Sequence, residues 1–387
     1  MEEARVREIL AYLRREQAAM VQLLAKFVRC ESPSLDKAAV DRFGLIVAAE
    51  WRRRGARVEI LRRAKQGNHL RAEWGDGQGR VARQIMVLGH LDTVYPLGSI
   101  TQRPFRVSGA RAFGPGTFDM KAGLVQALFA VDALRDGCLR VPRRVVFLWN
   151  SDEEIGSDSS RRAIEDEARR SDAVLVLEPA FGRDGRLKTA RKGVGTAEII
   201  VTGRSAHAGI DPEKGVNAVH ELALQVSKLI RMNDPRRGIT VQATVIQGGT
   251  VSNVVAEKAR AEVDIRYSRL CDSGALDRRI RQLRPILPGA RVEVRGGLNR
   301  PPLERTKAVR GLFARAKSIM RQMGIELGEA ATGGGSDGNL TAALGVPTLD
   351  GLGAVGDGAH SPREHVIIPR LPERAALLAS LLATWPG

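Results

Sequence analysis

Three short runs of almost unbroken apolar residues constrain this chain most: Ile85-Met86-Val87-Leu88, Val145-Val146-Phe147-Leu148-Trp149 and Ala173-Val174-Leu175-Val176-Leu177. A strand with one wet face alternates polar and apolar positions, whereas runs of this kind suit strands buried on both faces of a sheet. Segments of helical spacing separate them, clearest at Lys121–Arg135 and Ser159–Arg170. Strand and helix in alternation predict an α/β layer built on a mostly parallel sheet. Upstream, apolar positions recur at helical spacing (Val6, Ile9, Leu10, Leu13, then Met20, Leu23, Leu24, Phe27, Val28), and Lys37–Arg54 reads as a further helix.

Near residue 193 the pattern changes. Ala261, Val263, Ile265 and Tyr267 now alternate with Arg260, Glu262, Asp264 and Arg266, as in a sheet with one wet face. The order is strand Thr196–Gly203, helix Gly215–Arg231, strands Ile239–Gln247 and Lys258–Tyr267, helix Ser273–Leu283, strand Ala290–Arg295. This β-α-β-β-α-β order is the ferredoxin-like split unit. The helical stripe Val216, Val219, Leu222, Ala223, Val226 and Ile230 predicts core packing, with part of it available to a second subunit. Helical signals return at Lys307–Met323. A Gly-rich loop, the apolar run Val346–Leu349 and a last helix, Pro372–Thr384, follow. The expected organisation is therefore one discontinuous α/β domain, residues 1–192 and 299–387, interrupted by an α+β insertion at 193–298.

Composition excludes several classes. Of 387 residues, 43% are hydrophobic, enough to bury a core and too many for a disordered chain. The chain holds no 18-residue apolar stretch, so a membrane-spanning helix is not expected. The start, MEEARVREILAYLRREQ, has no apolar stretch of signal-peptide type. Cys30, Cys138 and Cys271 lie far apart, which predicts small buried hydrophobes in a reducing cytoplasm. Basic residues outnumber acidic ones 61 to 44, a net charge of +17. The arginines fall in scattered doublets (Arg62-Arg63, Arg143-Arg144, Arg169-Arg170, Arg278-Arg279) without interleaved aromatics. That predicts a solvated basic surface with no specific nucleic-acid partner, and its field would speed the arrival of a small anionic substrate.

The chemistry gathers at strand ends. His90 and Asp92 follow the strand ending at Leu88, Glu153 and Glu154 the one ending at Trp149, and Glu178 the one ending at Leu177. Asp119 precedes a helix, and His360 lies in a Gly-rich loop after the strand near Leu349. Ligands of open α/β sheets bind beyond the carboxyl ends of the strands, so these groups are expected in one cleft. Two imidazoles with three or more carboxylates suit Zn²⁺, and also Co²⁺ or Mn²⁺. Five ligands exceed what one catalytic zinc with an open position takes, and fit two ions sharing a carboxylate.

The segments Gly-His90-Leu-Asp92-Thr-Val, Gly-Thr-Phe-Asp119-Met-Lys-Ala-Gly, Asp-Glu153-Glu154-Ile-Gly-Ser, Leu-Glu178-Pro, Gly-Arg-Ser-Ala-His207-Ala-Gly, Thr-Gly-Gly-Gly-Ser-Asp337 and Ala-His360-Ser together resemble one family. It is the di-zinc aminoacylase/carboxypeptidase metallopeptidases, above all their bacterial glutamate carboxypeptidase branch, and the resemblance runs from about Glu31 to the C-terminus. The resemblance implies two Zn²⁺ per chain bridged by Asp119, with His90 and Glu178 completing one site and Glu154 and His360 the other. It implies Glu153 as general base, Asp92 as acceptor from His90, and a cis peptide between Asp119 and Met120. The insertion would be a dimerisation lid, with His207 stabilising the oxyanion in the partner's site. Asn253, Arg266 and Arg300 would bind the substrate carboxylate, joined by backbone N–H groups of the loop around Gly334. The expected activity is hydrolysis of an amide bond, releasing a C-terminal amino acid such as glutamate from a peptide or N-acyl conjugate. Deacylation of small N-acyl amino acids is the alternative, and a non-catalytic binding module a remote one. No G-x-S-x-G elbow points to a serine nucleophile.

Overall fold

The computed structural model describes residues 2–75, 84–137 and 139–385; Cys138 lies outside them. Two compact units divide the chain. The first comprises Met1–Ala190, Arg305–Ala331 and Ser336–Gly387, and the second Arg191–Glu304 with Thr332–Gly335.

The first unit is built on six strands: β1 (Arg57–Leu61), β2 (His69–Trp74), β3 (Gln84–His90), β4 (Arg144–Asn150), β5 (Ser171–Val176) and β6 (Thr348–Leu349). Their order across the sheet is β1-β2-β4-β3-β5-β6. The neighbours β4, β3, β5 and β6 are parallel, and only β2 runs against the rest. The unbroken apolar runs are explained by two cores on opposite faces. Ile85, Val87, Val145, Phe147, Trp149, Ala173 and Leu175 face the larger, with the helices Glu2–Arg15, Lys37–Arg53, Ala122–Asp136 and Arg370–Ala383. Met86, Leu88, Leu148, Val174 and Val176 face the smaller, against Ile164, Ala168 and Leu340 of the helices Arg161–Arg169 and Gly338–Ala343. Alternate residues thus point to opposite cores, and each has to be apolar.

The second unit has four antiparallel strands, Gly193–Thr202, Thr240–Gly248, Lys258–Tyr267 and Arg291–Arg300, with the first and third central. Helices Ala218–Ile230 and Leu270–Arg281 cover one face, giving the β-α-β-β-α-β order. Ala261, Val263, Ile265 and Tyr267 are buried beneath them, while Arg260 and Glu262 are exposed. The unit's edges lie outside 193–298. Arg191 and Leu303 exchange backbone hydrogen bonds of 2.9 and 3.0 Å, and Lys192 N–H donates to Thr332 O at 3.0 Å, drawing both strand ends and Thr332–Gly335 into it.

Two expectations are corrected. The helical stripe is only partly core: Leu222 is buried and Val216 and Val226 half-buried, while Val219, Ala223 and Ile230 are exposed. The helix starts at Ala218 instead of Gly215, and its buried line runs one position off the apolar stripe, taking in Glu221 and Gln225. Glu221 is kept there by backbone N–H groups of Ile286 and Leu287, which its carboxylate accepts. Cys30 is half-buried against the larger core and Cys271 is exposed; both are free thiols.

Phe147 sits in the larger core with its ring centroid 4.1 Å from that of Trp51 and 5.9 Å from that of Trp149. Phe147→Ala should lower the stability of the first unit by about 3–5 kcal/mol, the usual cost of emptying an aromatic site. The measurement is the denaturant midpoint followed by tryptophan fluorescence. Trp51, Trp74, Trp149 and Trp385 all belong to the first unit, so the signal reports that unit alone.

Candidate functional site

Register decides where the chemistry sits. In the parallel row His90 pairs with Asn150 and Leu88 with Val176. The chain therefore leaves β3, β4 and β5 at one level, carrying His90, then the turn Glu153–Ile155, then Glu178. Asp119 comes from the irregular turn Thr117–Lys121, which feeds the buried helix Ala122–Asp136; the Asp119–Met120 peptide is cis. His360 lies between Gly356–Asp357 and His365–Ile367 at φ 59°, a left-handed conformation uncommon outside glycine.

These side chains meet. Asp119 Oδ1 is 3.3 Å from His90 Nε2, and its Oδ2 is 3.5 Å from His360 Nε2. Glu178 Oε1 lies 3.5 Å from His90 Nε2, and Glu154 Oε2 lies 3.1 Å from His360 Nε2. One ligand atom from each of His90, Asp119 and Glu154 lies within 4.8 Å of the others, and the same holds for His90, Glu153 and Glu178. Charge of one sign dominates. Burial opposes ionisation of Asp119, but hydrogen bonds from His360 and His90 hold its carboxyl well below the usual range. Asp119 and Glu154 push His360 up to about 10. Burial disfavours charging His90, yet Asp119, Asp92 and Glu178 together raise it. Burial lifts Glu154 as well, and its Oε1 has no hydrogen-bond partner among the described residues. A buried carboxylate oxygen without a donor, beside imidazole nitrogens and further carboxylates, is the donor set that a divalent cation takes. The residues fit a metal centre.

Carboxylates also hold the backbone in place. Asp92 was expected to accept from His90. Its backbone oxygen does so, at 2.9 Å from His90 Nδ1, while its carboxylate Oδ1 is 3.4 Å away. The carboxylate chiefly accepts from Glu153 N–H (3.3 Å), Glu154 N–H (3.2 Å) and the Ser34 hydroxyl (2.7 Å), fixing the turn that carries the two glutamates. Asp337 accepts from Ser157 Oγ at 2.5 Å and from Asn150 Nδ2, joining the end of β4 to the residues after that turn. Gly89 is required by close approach, since a Cβ there would lie 2.4 Å from Met120 Cε. Sequence reading missed Glu364. It is 2% exposed and accepts from the backbone N–H groups of Gly116, Phe118 and Asp119; burial pushes its carboxyl up to about 7. A glutamate four residues past a candidate ligand was the only hint in the sequence.

The other candidates lie in the second unit. His207 is exposed, and its Nδ1 accepts from Gly209 N–H and Ile210 N–H, both at 3.1 Å. With Nδ1 accepting, Nε2 is left as the ring's donor. Ala208 N–H donates to Asn253 O at 2.9 Å, so the His207 and Asn253 segments are adjacent. Arg266 pairs with Asp264 at 2.7 Å and donates to Gly333 O at 3.3 Å. Arg300 is buried, with its Cδ beside Gly335. In the Gly334 loop, Gly334 N–H faces Thr332 Oγ1 at 3.4 Å, and its carbonyl accepts from Arg191 Nη1 at 3.2 Å. The loop turns carbonyls toward Arg191, which is buried, and Arg266, which is half-exposed; guanidinium N–H groups only donate and take these carbonyls as acceptors. Arg191, 4% exposed, was not singled out in the sequence.

Residues 86–384 match the model of Peptidase family M20/M25/M40. The chain is 32% identical over 375 residues to carboxypeptidase G2 of Pseudomonas sp., covering 95% of this chain and 89% of that one. It is 28% identical over 325 residues to succinyl-diaminopimelate desuccinylase of Dechloromonas aromatica, covering 79% and 84%. A solved dinuclear metal-binding peptidase from Bacillus subtilis shares the fold, with TM-score 0.69 and 15% identity over 95% of this chain and 97% of that one. With most of its length matched and carboxylates and imidazoles gathered at the strand ends, the chain belongs to Peptidase family M20/M25/M40 and is a hydrolase acting on amide bonds.

Proposed function

We propose that this protein is a di-zinc carboxypeptidase that releases a C-terminal amino acid, such as glutamate, from a peptide or N-acyl conjugate. The observation that carries the reading is Asp119, whose two oxygens face His90 and His360 with Glu178 and Glu154 beside them. Asp119 would bridge the ions, His90 and Glu178 would complete one site, and Glu154 and His360 the other. Ions held there would lower the pKa of a bound water towards 7 and polarise a carbonyl. Glu153, anchored through its N–H to Asp92, takes the water's proton and returns it to the leaving amine. His207 offers its Nε2–H to the oxyanion, and Asn253, Arg266 and Arg300 receive the substrate carboxylate. The likeness to carboxypeptidase G2 over 95% of this chain supports C-terminal release. Likeness to a desuccinylase favours a second reading, deacylation of small N-acyl amino acids. We further infer a homodimer joined through the inserted unit, in the cytoplasm that its scattered cysteines suit. Among the described residues no helix is long and apolar enough to cross a membrane.

A panel of peptidyl-glutamates, other peptides, and N-acetyl and N-succinyl amino acids decides between the two readings. The first expects turnover of the peptidyl substrates, and preference for the small N-acyl set favours the second. Glu153→Gln should lower kcat by at least about 10²-fold, the low end for a lost general base, with bound metal unchanged; near-normal turnover excludes that role. Elemental analysis after zinc reconstitution should give two ions per chain, and exhaustive chelation should abolish hydrolysis. Mixed His207→Ala and Glu153→Gln chains should regain up to about half the wild-type rate per heterodimer, because a two-fold interface leaves one site intact. No recovery despite proven subunit exchange removes the cross-subunit role.

A further inference from the structure

We propose that Glu364 is a positioning residue, whose carboxylate fixes the backbone that presents Asp119 and ties it to the loop that presents His360. The inference rests on the metal-centre reading above. Glu364 Oε1 accepts from Phe118 N–H at 2.8 Å and Asp119 N–H at 2.9 Å, and its Oε2 accepts from Gly116 N–H at 2.9 Å. Three donors within four residues of chain converge on one buried side chain. The segment needs such an acceptor because it is not a regular helix. Gly116 sits at φ 69°, and Asp119 at φ −114° and ψ 96°, so these N–H groups lie outside an α-helical ladder. Buried donors left without acceptors are costly.

Glu364 also stands at a junction. It lies four residues after His360, and the next residue, His365, pairs with Phe113 across an antiparallel ladder. Its own N–H donates to Ser361 O at 3.2 Å, and Tyr95 OH donates to the same oxygen at 3.2 Å. A shift of the Glu364 side chain would therefore move the groups flanking one metal position from both sides. A neutral side chain such as Gln offers one acceptor oxygen and would turn an NH₂ group against one of these N–H donors. A carboxylate serves all three, and it adds negative charge beside an acidic cluster. That addition is unfavourable for the empty cluster and favourable once cations are held there. Groups that orient metal ligands typically change metal affinity 10–100-fold when mutated.

The test is metal affinity by chelator competition, with the visible absorption spectrum of the Co²⁺-substituted protein as a second readout. Glu364→Gln should weaken binding of at least one ion by about 10–100-fold and alter the Co²⁺ spectrum. Glu221→Gln is the control. Glu221 holds the backbone N–H groups of Ile286 and Leu287 by the same chemistry in the second unit, to which none of the candidate metal ligands belongs. It should lower thermal stability and leave metal affinity and spectrum unchanged. Should Glu364→Gln fail to fold, Tyr95→Phe, which removes the hydroxyl that ties to Ser361 O and lies against Glu364, should give a smaller loss in the same direction. Unchanged affinity and spectrum in Glu364→Gln, or in Tyr95→Phe where that variant carries the test, overturns the positioning role. Failure of the wild type to bind divalent ions overturns the metal-centre reading instead.

Discussion

Parallel register is the constraint on which the rest depends. Adjacent parallel strands end at one edge of the sheet, and here the pairing of His90 with Asn150 and of Leu88 with Val176 brings three chain exits to a common level. Parallel strands also require crossover connections, which here are helices with apolar faces. Both faces of the parallel strands β3, β4 and β5 are thereby covered, and polar groups gather at their ends. The site is a consequence of that arrangement: the two cores keep charge out of the middle of these strands, and the loops beyond them collect it.

What accumulates there is carboxylate. Asp119, Glu154 and Glu178 stand against two imidazoles, an arrangement that draws positive charge. Such a cluster is unfavourable in a low-dielectric site unless it is held rigidly and neutralised. Rigidity comes from acids that accept backbone N–H groups. Asp92 holds the turn of Glu153 and Glu154, Glu364 holds the turn of Asp119, and Asp337 joins the end of β4 to Ser157. Reactive carboxylates are thus carried on backbone that other carboxylates fix, which is how a site keeps geometry before its ligand arrives.

The second unit follows different physics. Its sheet has one covered face, so its sequence alternates, and its polar groups are distributed along strands and loops instead of being confined to strand ends. His207 is set as an Nε2–H donor by two backbone N–H groups, and three arginines hold the carbonyls or flank of a Gly-rich loop.

Much of this was legible in the residues. Unbroken apolar runs specify strands buried on both faces, and alternation from Arg260 to Tyr267 specifies a sheet with one wet face, because burial acts on each side chain through local periodicity. Acids and histidines at strand ends announced a metal-type cluster before any contact was known. The sequence did not reveal which backbone groups those acids serve. Asp92 partners His90 and also anchors Glu153 and Glu154; Gly334 presents its carbonyl to Arg191; Glu364 carried no local signature. Residue types and their spacing determine which elements form and which faces they bury. The acceptor that each buried N–H finds is decided by atoms up to 248 positions away in the chain, as with Gly116 and Glu364, and only the assembled tertiary structure brings them within hydrogen-bonding distance.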